Sequence, residues 1–186
     1  DELALAAGRD PVDYRLKMLA DHPRHARVLQ LAAEKGGWGA AVPEGQFRGI
    51  ALHESFSTRV AQVADVSVED DGAWTVRKVV IAVDCGMAVN PDLVRAQMEG
   101  GMGFGLSAAL GEAISFDGGR VVEGNFDDYP VLRMNQMPQV DVHIVASSAP
   151  PTGVGEPATP VIAPAVAVAL HRATGQRLRS LPLKLA

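Results

Sequence analysis

Four glycines, Gly100, Gly101, Gly103 and Gly105, fall inside a segment that otherwise reads as a helix from about Pro91 to Leu110. Asn90-Pro91-Asp92 opens it, the Asn side chain suited to capping free amides and the proline to the first turn. Each interior glycine weakens a helix by roughly 1 kcal/mol relative to Ala, so another demand must outweigh propensity. That demand is close approach of the backbone to a neighbouring segment or to a ligand. Gly101 and Gly105 stand i, i+4 on one face, which allows close helix packing, while Gln97 offers both a donor and an acceptor to a heterocycle. On the residues alone, packing and ligand roles stand level. A phosphate loop is a weak alternative, because the Lys and Ser/Thr of that motif are missing and no strand leads directly into the glycines.

The rest of the chain sets this helix in an α+β order. Asp10-Pro11-Val12-Asp13 reads as a helix start, and a second helix from about Pro23 to Lys35 ends at Gly36-Gly37. Residues 1–40 are thus expected to form a helical lobe. Trp38 to Gly49 shows no period and is expected to be a connector. From Val60 the pattern changes to that of strands, with a hairpin signal at Asp70-Asp71-Gly72 and a second strand from Trp74 to Val83. Glu112–Phe116 and Arg120–Val122 flank a further hairpin signal, Asp117-Gly118-Gly119, and Val140–Ala146 reads as another strand. A last helix, from about Pro160 to Thr174, is closed by Gly175. The expected fold class is α+β, a mixed or antiparallel sheet with packed helices, with residues 50–186 forming the α+β part.

Composition narrows the function. A hydrophobic fraction of 47% and a charged fraction of 21% are those of a globular chain. The net charge of -5, without a basic run, argues against a nucleic-acid groove. The single cysteine, Cys85, forms no internal disulfide, and His22, His25, His53, His143 and His171 show no ligand spacing, so a metal is expected to arrive inside a cofactor. No apolar stretch reaches the roughly 20 residues that a membrane span needs. The start, Asp1-Glu2-Leu3, has neither an initiator Met nor a signal peptide, which is the expectation for a segment taken from within a longer chain and leaves the compartment, cytoplasm or periplasm, open.

The loop Ala149-Pro150-Pro151-Thr152-Gly153-Val154-Gly155-Glu156-Pro157 carries the strongest chemical signal. Two prolines stiffen its approach, and two glycines let the backbone lie close against a flat ligand just before a lone carboxylate. Glu156 stands just upstream of the last helix's positive end, where a carboxylate is favoured. The plain alternative, favoured on the residues alone, is that Glu156 only caps that helix.

Taken together, Val83-Asp84-Cys85-Gly86, Val89-Asn90-Pro91, Gln97-Met98-Glu99-Gly100-Gly101, Gly153-Val154-Gly155-Glu156-Pro157 and Ala173-Thr174-Gly175 resemble, in this order, the C-terminal part of the large subunit of xanthine dehydrogenase-type molybdenum hydroxylases. His53-Glu54-Ser55-Phe56 and Asn125-Phe126-Asp127-Asp128-Tyr129-Pro130 are similar to the branch that contains isoquinoline 1-oxidoreductase and aldehyde dehydrogenases. The resemblance implies oxidation of N-heteroaromatic compounds or aldehydes with water as the oxygen source, using molybdopterin, in its cytosine dinucleotide form. It implies Glu156 as the catalytic base, and Gln97, Gly100, Gly101, Val154 and Gly155 as cofactor-binding residues. It also implies partners: the N-terminal remainder of the large subunit, a small [2Fe-2S] subunit, and further oligomerisation. The 186 residues alone are expected to be inactive and without cofactor. Gly101-Met102-Gly103-Phe104-Gly105 is more glycine-rich than the matching stretch of xanthine dehydrogenase, which speaks against a purine substrate. The rival is a non-catalytic binding or assembly module whose Gly-Val-Gly-Glu loop is structural.

Overall fold

A computed structural model describes residues 1–69 and 71–185. Three helices come first: α1 (Glu2–Ala6), α2 (Pro11–Met18) and α3 (Pro23–Lys35). The Asp10 carboxylate accepts from the Val12 and Asp13 amides, so α2 begins where its capping residues specify. Strands β1 (Gln46–Ser55), β2 (Thr58–Val68) and β3 (Trp74–Asp84) then form an antiparallel meander. Of the hairpin signal between β2 and β3, Asp70 lies outside the described residues. Helix α4 (Pro91–Leu110) follows, then a two-residue-wide ribbon of β4 (Phe116–Asp117) and β5 (Arg120–Val121), then β6 (Gln139–Ile144) and α5 (Thr159–Thr174). Strand β6 joins β3 in parallel, giving a mixed sheet of order β1-β2-β3-β6.

Both faces of the sheet are covered. On one face Val60, Ala64, Val66, Val79, Ile81 and Val83 pack with residues of α4 and α5 such as Met98, Leu106, Ile162 and Ala169. On the other, Ala61, Val63, Val80 and Ala82 pack with Val28, Leu29 and Ala32 of α3. Two-sided burial explains why Val79 to Val83 is a continuous apolar run without alternation. Full burial of side chains such as Leu29 and Ile162 contributes roughly 1.5–3 kcal/mol each. Arg24 of α3 makes a two-pronged bond to the buried Asp84 of β3 at 2.6 and 2.8 Å, and Arg172 of α5 lies 4.6 Å over the ring of Trp38, which follows α3.

The connector expected to run from Trp38 to Gly49 is shorter than that, because β1 begins at Gln46. Its strand pattern was hidden by two residues whose partners are distant. Arg48 reaches through the α3 face to Asp65 at 2.6 and 2.8 Å and to the Gly37 carbonyl. Gly49 faces α5, where an added Cβ would lie 2.0 Å from the Ala165 carbonyl oxygen, so only glycine lets the helix sit this close to the sheet. The strand expected over Val140–Ala146 is β6 at Gln139–Ile144, and the last helix starts at Thr159 and stops at Gly175, whose φ of 75° is left-handed.

Candidate functional site

Strand β3 ends beside the loop that leads to Glu156, and the residues after the strand hold that loop's first half. The Gly86 amide donates to Asp84 Oδ1 at 3.0 Å, and Gly86 has a φ of +72°. A Cβ there would fall 2.2 Å from the Pro150 carbonyl oxygen. The Met87 amide donates to the Ala149 carbonyl, and the Thr152 amide to the Cys85 carbonyl, both at 2.9 Å. The Arg24 guanidinium, with the Gly86 amide adding to it, holds the Asp84 carboxyl below its ordinary range, and burial pushes the Cys85 thiol up. Val83-Asp84-Cys85-Gly86 is thus a bracket for the loop, with a buried cysteine in it rather than a reactive one.

The second half of the loop is held by β1 and β2. Thr58 and Thr152 share a hydrogen bond between their hydroxyls at 2.6 Å, and the Gly153 amide donates to the Phe56 carbonyl at 3.3 Å. Past Glu156, the buried Gln62 of β2 donates from Nε2 to the Ala158 carbonyl at 2.8 Å, while its Oε1 has no partner among the described residues. Phe56 and Thr152 lie within stretches singled out in the sequence but without an assigned role, and Thr58 does not stand out. The usable signal is Gln62, a polar residue within an apolar strand.

Between these anchors, Val154 tucks its side chain against the main core, and Gly155 and Glu156 are exposed. Among the described residues, the amides of Val154, Gly155 and Glu156 donate to no protein acceptor. The Glu156 carbonyl accepts from the Thr159 amide at 3.0 Å, but its carboxylate makes no hydrogen bond or ion pair among the described residues, and α5 has no side-chain cap. The capping role for Glu156 therefore fails.

Helix α4 meets the loop at Gln97. Its Nε2 lies 3.8 Å from where a Cβ on Gly155 would stand, an ordinary contact distance, so the loop at Gly155 runs directly against the amide. The Gln97 side chain is exposed and unpaired among the described residues, and a Cβ on the adjacent Gly100 would find nothing within 4 Å. Gln97 thus meets Gly155, the residue before the exposed Glu156, at an exposed surface, with Gly100 one turn along from Gln97. Gly101 does not open onto that space: its missing Cβ would meet Ala158 at 3.3 Å and Thr159 at 3.4 Å. Gly105 is tighter still, 2.2 Å from the Thr159 carbonyl oxygen. These two glycines let α4 and α5 pack.

A flat, polar heterocycle suits this surface. It would find a two-sided amide, a run of unused backbone donors, two positions cleared of side chains, and a free carboxylate.

The comparisons with known proteins converge on such a ligand. Residues 20–138 match the molybdopterin cofactor-binding domain family. The chain is 40% identical to the beta subunit of isoquinoline 1-oxidoreductase from Brevundimonas diminuta over 99% of this chain and 24% of that protein. It is 39% identical to a nicotinate dehydrogenase subunit of Pseudomonas putida over 98% of this chain and 17% of that protein. The chain therefore spans about a quarter or less of the length of these relatives. Among solved structures, the aldehyde oxidoreductase of Desulfovibrio gigas superposes with a TM-score of 0.59 at 25% identity, covering 67% of this chain and 14% of that one. The family match takes in more than half of the residues, and the chain belongs to the molybdopterin cofactor-binding domain family.

Proposed function

We propose that this chain is the base-bearing part of the large subunit of a molybdenum hydroxylase that oxidises N-heteroaromatic compounds or aldehydes, with water supplying the oxygen. The observation that carries this is Glu156, an exposed carboxylate with no partner among the described residues, held on a loop that is pinned on both sides and lies beside the Gln97 amide. The relatives' names point the same way: isoquinoline and nicotinate are N-heteroaromatic compounds.

Gln97 would hold the pterin, donating from Nε2 and accepting at Oε1. Val154 and Gly155 would offer their backbone N–H groups, and Gly100 the bare surface for close approach. Gly101 would serve the same end indirectly, by letting α4 approach the loop. The cofactor, molybdopterin in its cytosine dinucleotide form, supplies when bound the centre that takes two electrons from the substrate carbon. One carboxylate oxygen of Glu156 receives the proton released as water-derived oxygen adds to that carbon, and a carboxylate with no competing partner is free to turn toward it. Electrons would leave through a small [2Fe-2S] subunit, and the remainder of the large subunit would close the cofactor cage. On this reading the 186 residues by themselves are inactive and hold no cofactor, and residues 1–40 act as a helical lobe set against the sheet.

The test is Glu156→Gln in the complete, molybdenum-loaded enzyme. General-base help is worth roughly 10² to 10⁴ in rate, so kcat is expected to fall by that factor with molybdenum content unchanged. A variant that turns over normally overturns the assignment.

A further inference from the structure

The β1–β2 connection is the most strained backbone next to the candidate site. Ser55 and Thr58 pair directly, so Phe56 and Ser57 make a two-residue turn. Both have positive φ, 52° and 59°. Such turns favour Asn and Gly, and a phenylalanine there is held against its own preference. Surrounding contacts impose it. Arg59 donates from Nη1 to the Ser57 carbonyl at 2.6 Å and from Nη2 to Glu54 Oε1 at 2.8 Å. Glu54 is in turn 2.7 Å from His25 Nε2 of α3. Strain kept in place by several independent contacts is characteristic of functional sites.

What this turn touches is the loop that carries Glu156. The Phe56 carbonyl accepts from the Gly153 amide at 3.3 Å. A Cβ on Gly153 would sit 2.9 Å from Phe56 Cβ and 3.6 Å from its Cγ. Glycine at 153 is therefore what lets the loop pass this close to the Phe56 Cβ. Beyond this contact no hydrogen bond from β1 or β2 reaches the loop until Gln62 at Ala158, among the described residues, so Gly153 carries the last hydrogen bond before Glu156, with only the Val154 side chain packed against the core between them. Burying the ring is not the purpose, because Phe56 remains 59% exposed.

We propose that the Phe56–Ser57 turn is a clamp, and that Phe56 is a positioning residue which, through Gly153, sets where Glu156 stands. The inference rests on Glu156 being the base, but the clamp itself is measurable without turnover.

The experiment is a double-variant cycle on Gly153→Ala and Phe56→Gly. Hydrogen exchange at the amides of residues 152 and 153, which have protein acceptors, is followed in this chain, and kcat and KM are followed in the complete enzyme. Both positions are exposed, and glycine accepts the left-handed backbone at 56, so the fold is expected to survive, as thermal unfolding would verify. Gly153→Ala is expected to speed loop exchange about tenfold and to lower kcat about 10- to 100-fold with KM within about twofold, as misplacement of a catalytic group does. Phe56→Gly alone is expected to cost less, and adding it to Gly153→Ala should return both readouts to the level of Phe56→Gly, because the clash is gone. Equal damage from Gly153→Ala with and without Phe56, or unchanged exchange in Gly153→Ala, overturns the clamp. A change in KM alone also overturns it, since it would make Phe56 a substrate contact. Failure of the base assignment looks different: Glu156→Gln keeps its turnover while the exchange coupling between 56 and 153 persists.

Discussion

Helix α4 and the loop before α5 look alike as sequence, each a run of glycines around one functional side chain, yet the two spend their glycines differently. In α4, Gly101 and Gly105 are pressed against Ala158, Thr159 and Ile162, so the missing side chains make room for protein. In the loop, a Cβ on Gly155 would meet only the Gln97 amide, at an ordinary contact distance of 3.8 Å, on an exposed surface. Gly100 belongs with the loop although it lies in the helix, since nothing stands within 4 Å of it. The lesson is that a glycine's meaning depends on what its absent Cβ would meet.

The largest break in this comparison is Glu156→Gln, which is expected to remove most turnover while leaving fold and molybdenum content alone. Gly105→Ala should do the reverse. Its Cβ would fall 2.2 Å from the Thr159 carbonyl oxygen, so α4 and α5 must separate. The expected cost is about 1–3 kcal/mol, read as a lower urea midpoint. Smaller is the pH response of the bracket at the loop's first half. Arg24 lowers the folded-state titration of Asp84 below its ordinary value of 3.8, so the pair's contribution is fully present above that value and is lost as pH falls through the lower folded one. Urea titrations should show stability dropping below about pH 4, and Arg24→Ala should flatten that drop. A variant retaining the full drop would show that other carboxylates carry it. The smallest effect is Gly100→Ala, expected to stabilise the helix by up to about 1 kcal/mol in the unloaded chain. In the complete enzyme the same methyl should lower the molybdenum content, which metal analysis would detect. A variant that is stabilised and still fully loaded would move Gly100 from the cofactor side to plain helix surface.

Much of the fold could be read from local chemistry. Asp10 and Asn90 cap the helices they precede, each accepting from two backbone amides. Gly175 ends α5 in the left-handed region, as a glycine after the last apolar turn should. Such signals act within a few residues, so they survive without tertiary information. Strand β1 did not announce itself, because Arg48 and Gly49 are explained only by Asp65 and Ala165, far along the chain. The turn at Phe56 and Ser57 was equally silent. Its residues oppose the conformation they adopt, and the contacts that impose it come from Arg59, Glu54 and the loop at Gly153. The site divides in the same way. Gln97 and Glu156 stood out as side chains with chemistry in glycine-rich settings, whereas Thr58, which holds the loop, is an ordinary strand residue until its partner is known, and Gln62 shows only as a polar residue in an apolar strand.

By itself, the sequence determined where α2 starts and where α3, α4 and α5 start and stop to within a residue, that the class is α+β, and which polar side chains were worth following, because capping, periodicity and glycine cost are local properties of the chain. Only the tertiary structure decided that α4 and the Glu156 loop share one surface, that Gly101 and Gly105 face protein while Gly100 and Gly155 leave space, and that Glu156 caps nothing. Those outcomes depend on contacts between segments some sixty residues apart, and the physical effect of a missing side chain is fixed only by the atoms packed around it.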